Sequence, residues 1–394
     1  MFEGVPARRG QRPSAPMSAD PVAIEAAWAW IDANAARLDA EDVDLAAAVG
    51  RVPASAPLAS ADLPATACAL EDGYAVRAEE TVGAAPYNAL SCLVAEPGVR
   101  RLPAGTVVHV RAGQPLPRGT DAVLPDDCVE PEDGGRIGVL TPVAEGEGVM
   151  PAGSELRAGE ALWRAEGQRR PLRPADIGLL SAAGVQSVSV VRQPCTRILT
   201  AGAAEALGPM LRALVERDGG AVNGVDPFDH GQTSAGEDLV LIAGNVADGP
   251  GIEIRGIAIE PGRETCLGRV NGTTVVLLPG LPAACFWAYE LVAGRALRSR
   301  AGRAPGLPYA SQRLRTRRKI VSALGITEVV PVRLDPEDAA AVLPLPGGPA
   351  PRLRTVAEAD GFALIPATSE GCAGGSVITV WLFEPGARRD AGRG

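Results

Sequence analysis

Between Arg197 and Leu297 short apolar runs alternate with an amphipathic segment, a pattern that few folds accommodate. Arg197 to Ala201 reads as a strand. After it, Leu207, Met210, Leu211, Leu214 and Val215 recur at i, i+3, i+4 and i+7, one face of a helix. Ala221 to Val225, Asp238 to Ala243, Ile252 to Ile259 and Thr273 to Leu278 read as further strands, and Pro282 opens a helix to about Leu297. This order predicts a doubly wound α/β domain that holds ligands at the carboxyl ends of its strands.

The flanks obey other periods. Asp20-Pro21 reads as the cap of a helix reaching Leu38, with Val22, Trp28, Ile31, Ala35 and Leu38 as its stripe. A short helix follows at Leu45 to Val49, closed by Gly50. From Tyr87 to Leu140, Gly and Pro punctuate short β runs at Ala89 to Ala95, Thr106 to Val110, Ala122 to Leu124 and Arg136 to Leu140. A helix at Pro174 to Ala183, closed by Gly184, and a strand at Val185 to Val191 lead out. Beyond Pro308, β patterning at Gln312 to Val321, Glu328 to Arg333, Gly361 to Pro366 and Ser376 to Phe383 predicts a small barrel. The expected division is a disordered tail at 1–19, an elongated discontinuous domain at 20–77 and 146–191, an inserted β module at 78–145, a central domain at 192–300 and a C-terminal β barrel at 309–385.

Charge and cysteine usage exclude several classes of function. A net charge of −9 argues against a nucleic-acid surface, which needs clustered Lys and Arg. The basic run Arg313, Arg315, Arg317, Arg318 and Lys319 reads as a solvated strand face, with an anionic ligand as the alternative. Apolar runs such as Thr273 to Leu278 fall far short of the roughly 20 residues a membrane helix requires. Seven scattered cysteines without a Cys-x-x-Cys pair read as reduced thiols of a cytoplasmic protein. Only His109 and His230 are present, which excludes a His-rich metal site, and Lys319 is the sole lysine.

Asp62 to Arg77, DLPATACALEDGYAVR, carries a turn at Asp72-Gly73 that exposes a carboxylate; an ordinary turn is the plainer reading of the dipeptide alone. The whole stretch resembles, without a gap, the DLPPFDNSAMDGYAVR signature of the molybdopterin molybdenumtransferase family, the MoeA and gephyrin E-domain proteins. Three further segments resemble that family in the same order. They are RAGQPLPRGTDAVLPDDCVE from Arg111 to Glu130, the Gly148 to Val190 stretch, and Gly256 to Pro282 with its GIAIEPGRE and VVLLPGLP. The resemblance implies a MoeA-like multidomain α/β architecture whose central domain is like MoaB and MogA.

The resemblance also implies a homodimer that inserts molybdate into adenylylated molybdopterin, with AMP release and Mg²⁺, and it leaves room for a molybdoenzyme or cofactor-biosynthesis partner. Catalytic roles fall on Asp72 and, standing in for an Asp, Glu155. Pterin binding falls on Gly73, Gly202, Gly244, Asn245, Pro279, Gly280, Pro282 and Arg263. Asp226 and Asp229, with His230, are candidate Mg²⁺ ligands, although a surface turn is the plainer reading.

Departures from the family pattern are numerous. Ala67, Cys68 and Ala69 stand where the family has Asp, Asn and Ser. Ala203 and Ala204 replace two acids, Leu281 replaces an Asn, and Glu260 and Arg263 replace two lysines. Pro250-Gly251 runs straight into a strand where a helix is expected. A catalytically impaired paralogue, acting as a molybdopterin-binding or scaffold and maturation protein, is therefore the rival reading.

Overall fold

The computed structural model describes residues 20–163, 170–229, 236–246, 249–345 and 352–384. The residues expected to form a tail, 1–19, and His230 lie outside them.

The first helix is Ile24–Asn34, shorter than the expected span from Asp20-Pro21 to Leu38. The reason lies just upstream. Val22 pairs in parallel with Ile257, its N–H donating to Gly256 O at 3.1 Å, so the residues meant to cap a helix are spent as extended backbone. Ile24, Ala27 and Ile31 turn one stripe into the core, and Trp28 Nε1 donates to Leu291 O at 2.8 Å. This helix packs against Gly294–Arg300 and so belongs to the central core, not to the elongated segment assigned to it.

That elongated segment is rooted in one antiparallel pair, Ala40–Asp44 against Ser187–Val191, with helices Leu45–Ala48 and Pro174–Ala182 packed beside it. Asp176 steadies the second helix. Its carboxylate accepts from the Arg173 N–H at 2.7 Å and from both Arg170 Nη atoms, which holds it well below the usual carboxylate range, to about 2.

The inserted module is a six-stranded sheet, and it begins earlier than expected. Gly73–Val76 lies between Thr106–Val110 and Ala122–Pro125, so the DGYA strand belongs to this sheet. Gly73 is required there, because a Cβ at that position would sit 2.4 Å from Leu124 O.

In the central domain, Ala221–Pro227, Cys195–Thr200, Leu239–Ala243 and Thr273–Leu278 are adjacent parallel strands, extended by antiparallel Cys266–Val270 and Ile252–Arg255. Ile198, Leu239, Leu241 and Val276 face the Gly208–Arg217 and Pro282–Arg300 helical segments. Leu199, Val240, Ile242, Val275 and Leu277 alternate onto the other face. Phe228, Val246 and Ile252 pack there, and among the described residues no helix does. The helix expected after Gly249 is indeed missing from the described residues.

The run predicted as one strand from Ile252 to Ile259 is interrupted at Gly256, where φ is +78°; Ile259–Glu260 leaves to pair with Thr327–Leu334 of the next body. That body is a closed five-stranded barrel. Its strands follow the order Thr327–Leu334, Ala341–Pro344, Ala310–Thr316, Val377–Leu382 and Gly361–Ile365, and the last pairs back with the first. Among the described residues no helix is long and apolar enough to cross a membrane.

Candidate functional site

Three parallel strands of the central sheet end level with one another, Thr200 opposite Ala243 and Ala243 opposite Leu278. Their connecting loops therefore lie side by side. Ala201 N–H donates to Ala243 O at 2.8 Å, and Gly244 N–H to Leu278 O at 3.1 Å. Gly244 has a φ of +134°, and a Cβ there would come 2.7 Å from Ala201 O; Gly202 takes a φ of +60°. Asn245 faces the third loop, its Oδ1 lying 3.0 Å from where a Gly280 Cβ would stand. The edge is built of closely approaching backbone, the kind of surface that receives phosphate groups.

Pro279-Gly280 leads through Leu281 to a helix beginning at Pro282. Leu281 is 57% exposed and offers no side-chain cap. The loop carrying Arg263 runs alongside: Ile257 N–H donates to Arg263 O at 3.1 Å, and Gly262 lies against Ala284 O in the first helical turn. Arg263 is exposed. Glu260, the last residue of the short strand that leads into this loop, is also exposed, yet desolvation, and after it the charges of Glu264 and Glu328, push its carboxyl above the usual range. Gly202, Gly244, Asn245, Pro279, Gly280, Pro282 and Arg263 are thus gathered at one end of the sheet.

A second group forms around the signature stretch. Asp72 is exposed, and its Oδ1 accepts from the Ala112 N–H at 2.9 Å. Ala69 exchanges backbone bonds with the same turn, donating to Gln114 O at 3.0 Å and accepting from Gly113 N–H at 2.8 Å. On the other side Cys68–Ala69 pairs with Val149–Met150, and Leu70 N–H donates to Gly148 O at 2.8 Å. Glu155, exposed, follows on this strip, its N–H reaching Leu63 O at 3.0 Å. Residues 62–77, 111–118 and 146–158, far apart in sequence, are one surface. Among the described residues, no hydrogen bond or ion pair within one chain joins this surface to the sheet edge.

Asp226 lies on the neighbouring strand at the same sheet edge: it stands opposite Leu199, and its backbone carbonyl accepts from Thr200 Oγ1 at 3.5 Å. Arg197 Nε donates to its carboxylate at 3.2 Å, so that group serves an ion pair on adjacent strands. Among the described residues no three His, Cys, Asp or Glu side chains gather as a metal cage around Asp226, Asp229 or elsewhere. The basic strand of the barrel behaves as a solvated face: Arg315 pairs with Asp338 at 3.1 Å and Arg317 with Asp335.

A buried cluster that no sequence motif marks lies under the helices. Asp218 and Glu290 are 0% exposed, and between them they take every N–H of Arg217 except the one shared with Tyr309. Arg298 Nη1 adds a bond to Asp218 at 2.7 Å, and Tyr309 OH donates to Glu290 at 2.7 Å. Glu290 lies on a π-helical turn, Tyr289–Ala293, which re-aims its side chain. A glutamate inside the apolar run from Phe286 to Val292 was the available signal.

Comparisons with known proteins bear on both groups. A family model described as "MoeA N-terminal region (domain I and II)" matches residues 22–184, and one described as "MoeA C-terminal region (domain IV)" matches 313–383, together more than half of the chain. The chain is 28% identical over 393 residues to "Molybdopterin molybdenumtransferase 2" of Mycobacterium tuberculosis, covering 86% of this chain and 94% of that protein. It is 24% identical over 331 residues to "Molybdopterin molybdenumtransferase" of Staphylococcus aureus, covering 72% and 77%. Among solved structures, the molybdopterin biosynthesis moeA protein of Pyrococcus horikoshii OT3 superposes with a TM-score of 0.76 at 26% identity, over 92% of this chain and 100% of that one.

Proposed function

The chain belongs to the MoeA family, and from that premise we propose that it is a molybdopterin molybdenumtransferase of molybdenum-cofactor biosynthesis, inserting molybdate into adenylylated molybdopterin with release of AMP. The observation that carries this reading is the level ending of three parallel strands, which puts the Gly202, Gly244 and Gly280 loops in one row. In this reading the row of backbone holds the phosphates of the pterin substrate, Asn245 orients them, and Arg263 supplies positive charge. Asp72 works from the other surface, held in place by its bond from Ala112 and leaving its remaining lone pairs to the reacting group. The chain functions as a cytoplasmic homodimer in which Asp72 of one protomer meets the Gly280 turn of its partner.

Magnesium fits this site only as an ion carried by substrate phosphates. A Mg²⁺ of that kind needs one or two carboxylates and supplies charge neutralisation on the phosphates, and Asp72 is the carboxylate in position to offer an oxygen. In a reconstituted assay with molybdate, Mg²⁺ and adenylylated molybdopterin, AMP is released, and Asp72→Asn removes that release. Release no greater than background from the unaltered chain rejects transferase activity.

Two observations favour the second reading, a catalytically impaired paralogue that binds molybdopterin or serves as a scaffold in maturation of a molybdoenzyme. Exposed, apolar Leu281 caps the helix at the sheet edge, and Glu260 brings a negative charge beside Arg263. That reading predicts pterin binding without AMP release, with binding lost when Gly280→Val fills the row.

A further inference from the structure

A cavity of about 780 Å³ opens where the Gly208–Arg217 and Pro282–Ala288 helices face the Leu353–Glu358 helix of the C-terminal region. None of the loops at the sheet's carboxyl edge lines it. Its size is that of a small-molecule site, apolar with a few polar groups. Phe286, Tyr309 and Phe383 line it. Tyr309 and Phe383 meet edge-on at 5.3 Å, as do Phe286 and Phe383 at 6.2 Å, so their ring faces point in different directions around one hollow.

The charge of the lining selects among ligands. Arg217 contributes to the wall, but all five of its N–H groups are spent on Asp218, Glu290 and Tyr309, and two buried carboxylates balance its charge. An anion entering here finds no donor on it. Arg217 also lies 5.3 Å over the Tyr309 ring, so the rings left to attract a second cation are Phe286 and Phe383. Among the described residues the other charged groups of the lining are carboxylates: Asp360, which has the Leu334 N–H at 2.8 Å among its partners, and exposed Glu384. We propose that this cavity binds a small amphipathic organic cation, an ammonium or guanidinium head on an apolar body, with the body against the aromatic rings and the head towards Glu384.

The test is calorimetric titration of the full chain with benzyltrimethylammonium, its neutral isostere neopentylbenzene, and benzenesulfonate. The cation binds at least about tenfold more tightly than the isostere, and the sulfonate more weakly than either. Glu384→Gln, at an exposed position, weakens the cation about threefold. Leu353→Arg, which places a like charge at a lining residue that is 38% exposed, weakens it at least tenfold with the melting temperature unchanged. Equal affinity for cation and isostere, tighter binding of the sulfonate, or cation binding that neither substitution moves overturns the proposal. AMP release plays no part in the measurement, so its outcome is independent of the transferase reading.

Discussion

Asp218 and Glu290 at the base of the central domain, and Asp72 on the signature turn, are carboxylates in opposite circumstances. The first two are sealed from water and saturated by Arg217, Arg298 and Tyr309, whereas Asp72 stands in solvent with one backbone bond. A buried ion that has all its partners is held for the fold, since losing one partner strands the other in low dielectric. An exposed carboxylate fixed by a single bond is oriented at small cost and keeps acceptor capacity for a ligand. In the proposed reading, burial and partner count, more than residue type, separate the structural acids Asp218 and Glu290 from Asp72.

The contrast breaks first, if it breaks, at Glu290. Glu290→Ala is expected to destabilise by about 3–5 kcal/mol in denaturant unfolding, because Arg217 is left half paired. Arg217→Met combined with Glu290→Leu is expected to recover most of that loss, since the Asp218–Arg298 pair at 2.7 Å survives. A double variant as unstable as the single one would show that the cluster contributes net stability beyond mutual neutralisation.

Asp176 tests an intermediate case, mostly buried and paired with Arg170. Its folded carboxyl is lowered from 3.8 to about 2, so its contribution is present above about pH 4 and is lost as pH falls towards 2. Asp176→Asn should therefore cost about 2 kcal/mol at pH 7 and almost nothing at pH 2. A cost independent of pH would assign it to packing.

Asp72→Asn is expected to change stability by no more than about 0.5 kcal/mol while abolishing AMP release. A large loss of stability would move Asp72 into the structural class. The smallest effect on stability belongs to Glu260, whose carboxyl is raised by desolvation. Its folded form favours the proton, so stability present at acid pH declines as the group ionises; Glu260→Gln should stabilise slightly at pH 7 and not at pH 4. Glu260→Lys should also tighten binding of the pterin substrate by about tenfold, on the order of 1.4 kcal/mol for reversing one charge near a phosphate.

Local patterns were legible wherever one element satisfied itself. Thr273–Leu278 was bounded to the residue by its unbroken apolar run, and Gly208–Arg217 announced itself through its i, i+3, i+4 stripe. Reading failed where distant partners decided. Asp20-Pro21 looked like a helix cap because nothing local reveals that Val22 pairs with Ile257. The run from Ile252 to Ile259 looked continuous because its last residues pair with a strand nearly seventy positions away. At the candidate site, Gly202, Gly244 and Gly280 could be named in advance through the resemblance of their segments to the family's motifs, but not their meeting in one row. The Arg217–Glu290–Tyr309 cluster left only a glutamate inside an apolar run as a trace, because partners 73 and 19 residues away carry no spacing signal.

The long excursion from Ala40 to Val191 leaves the central body and returns to it at one end, where Arg192 N–H donates to Asp39 O at 2.8 Å, Arg303 Nη2 donates to Gly50 O at 2.9 Å and Gly302 lies against Val52 and Val191. Topologically it is a detachable appendage, and the Ile24–Asn34 helix that precedes it is already seated in the trunk. A short graft bridging residues 39 and 192 would excise the appendage without severing a strand of the central sheet. The trunk and the limb that bears Asp72 can then diverge, or be exchanged between relatives, as separate inheritances.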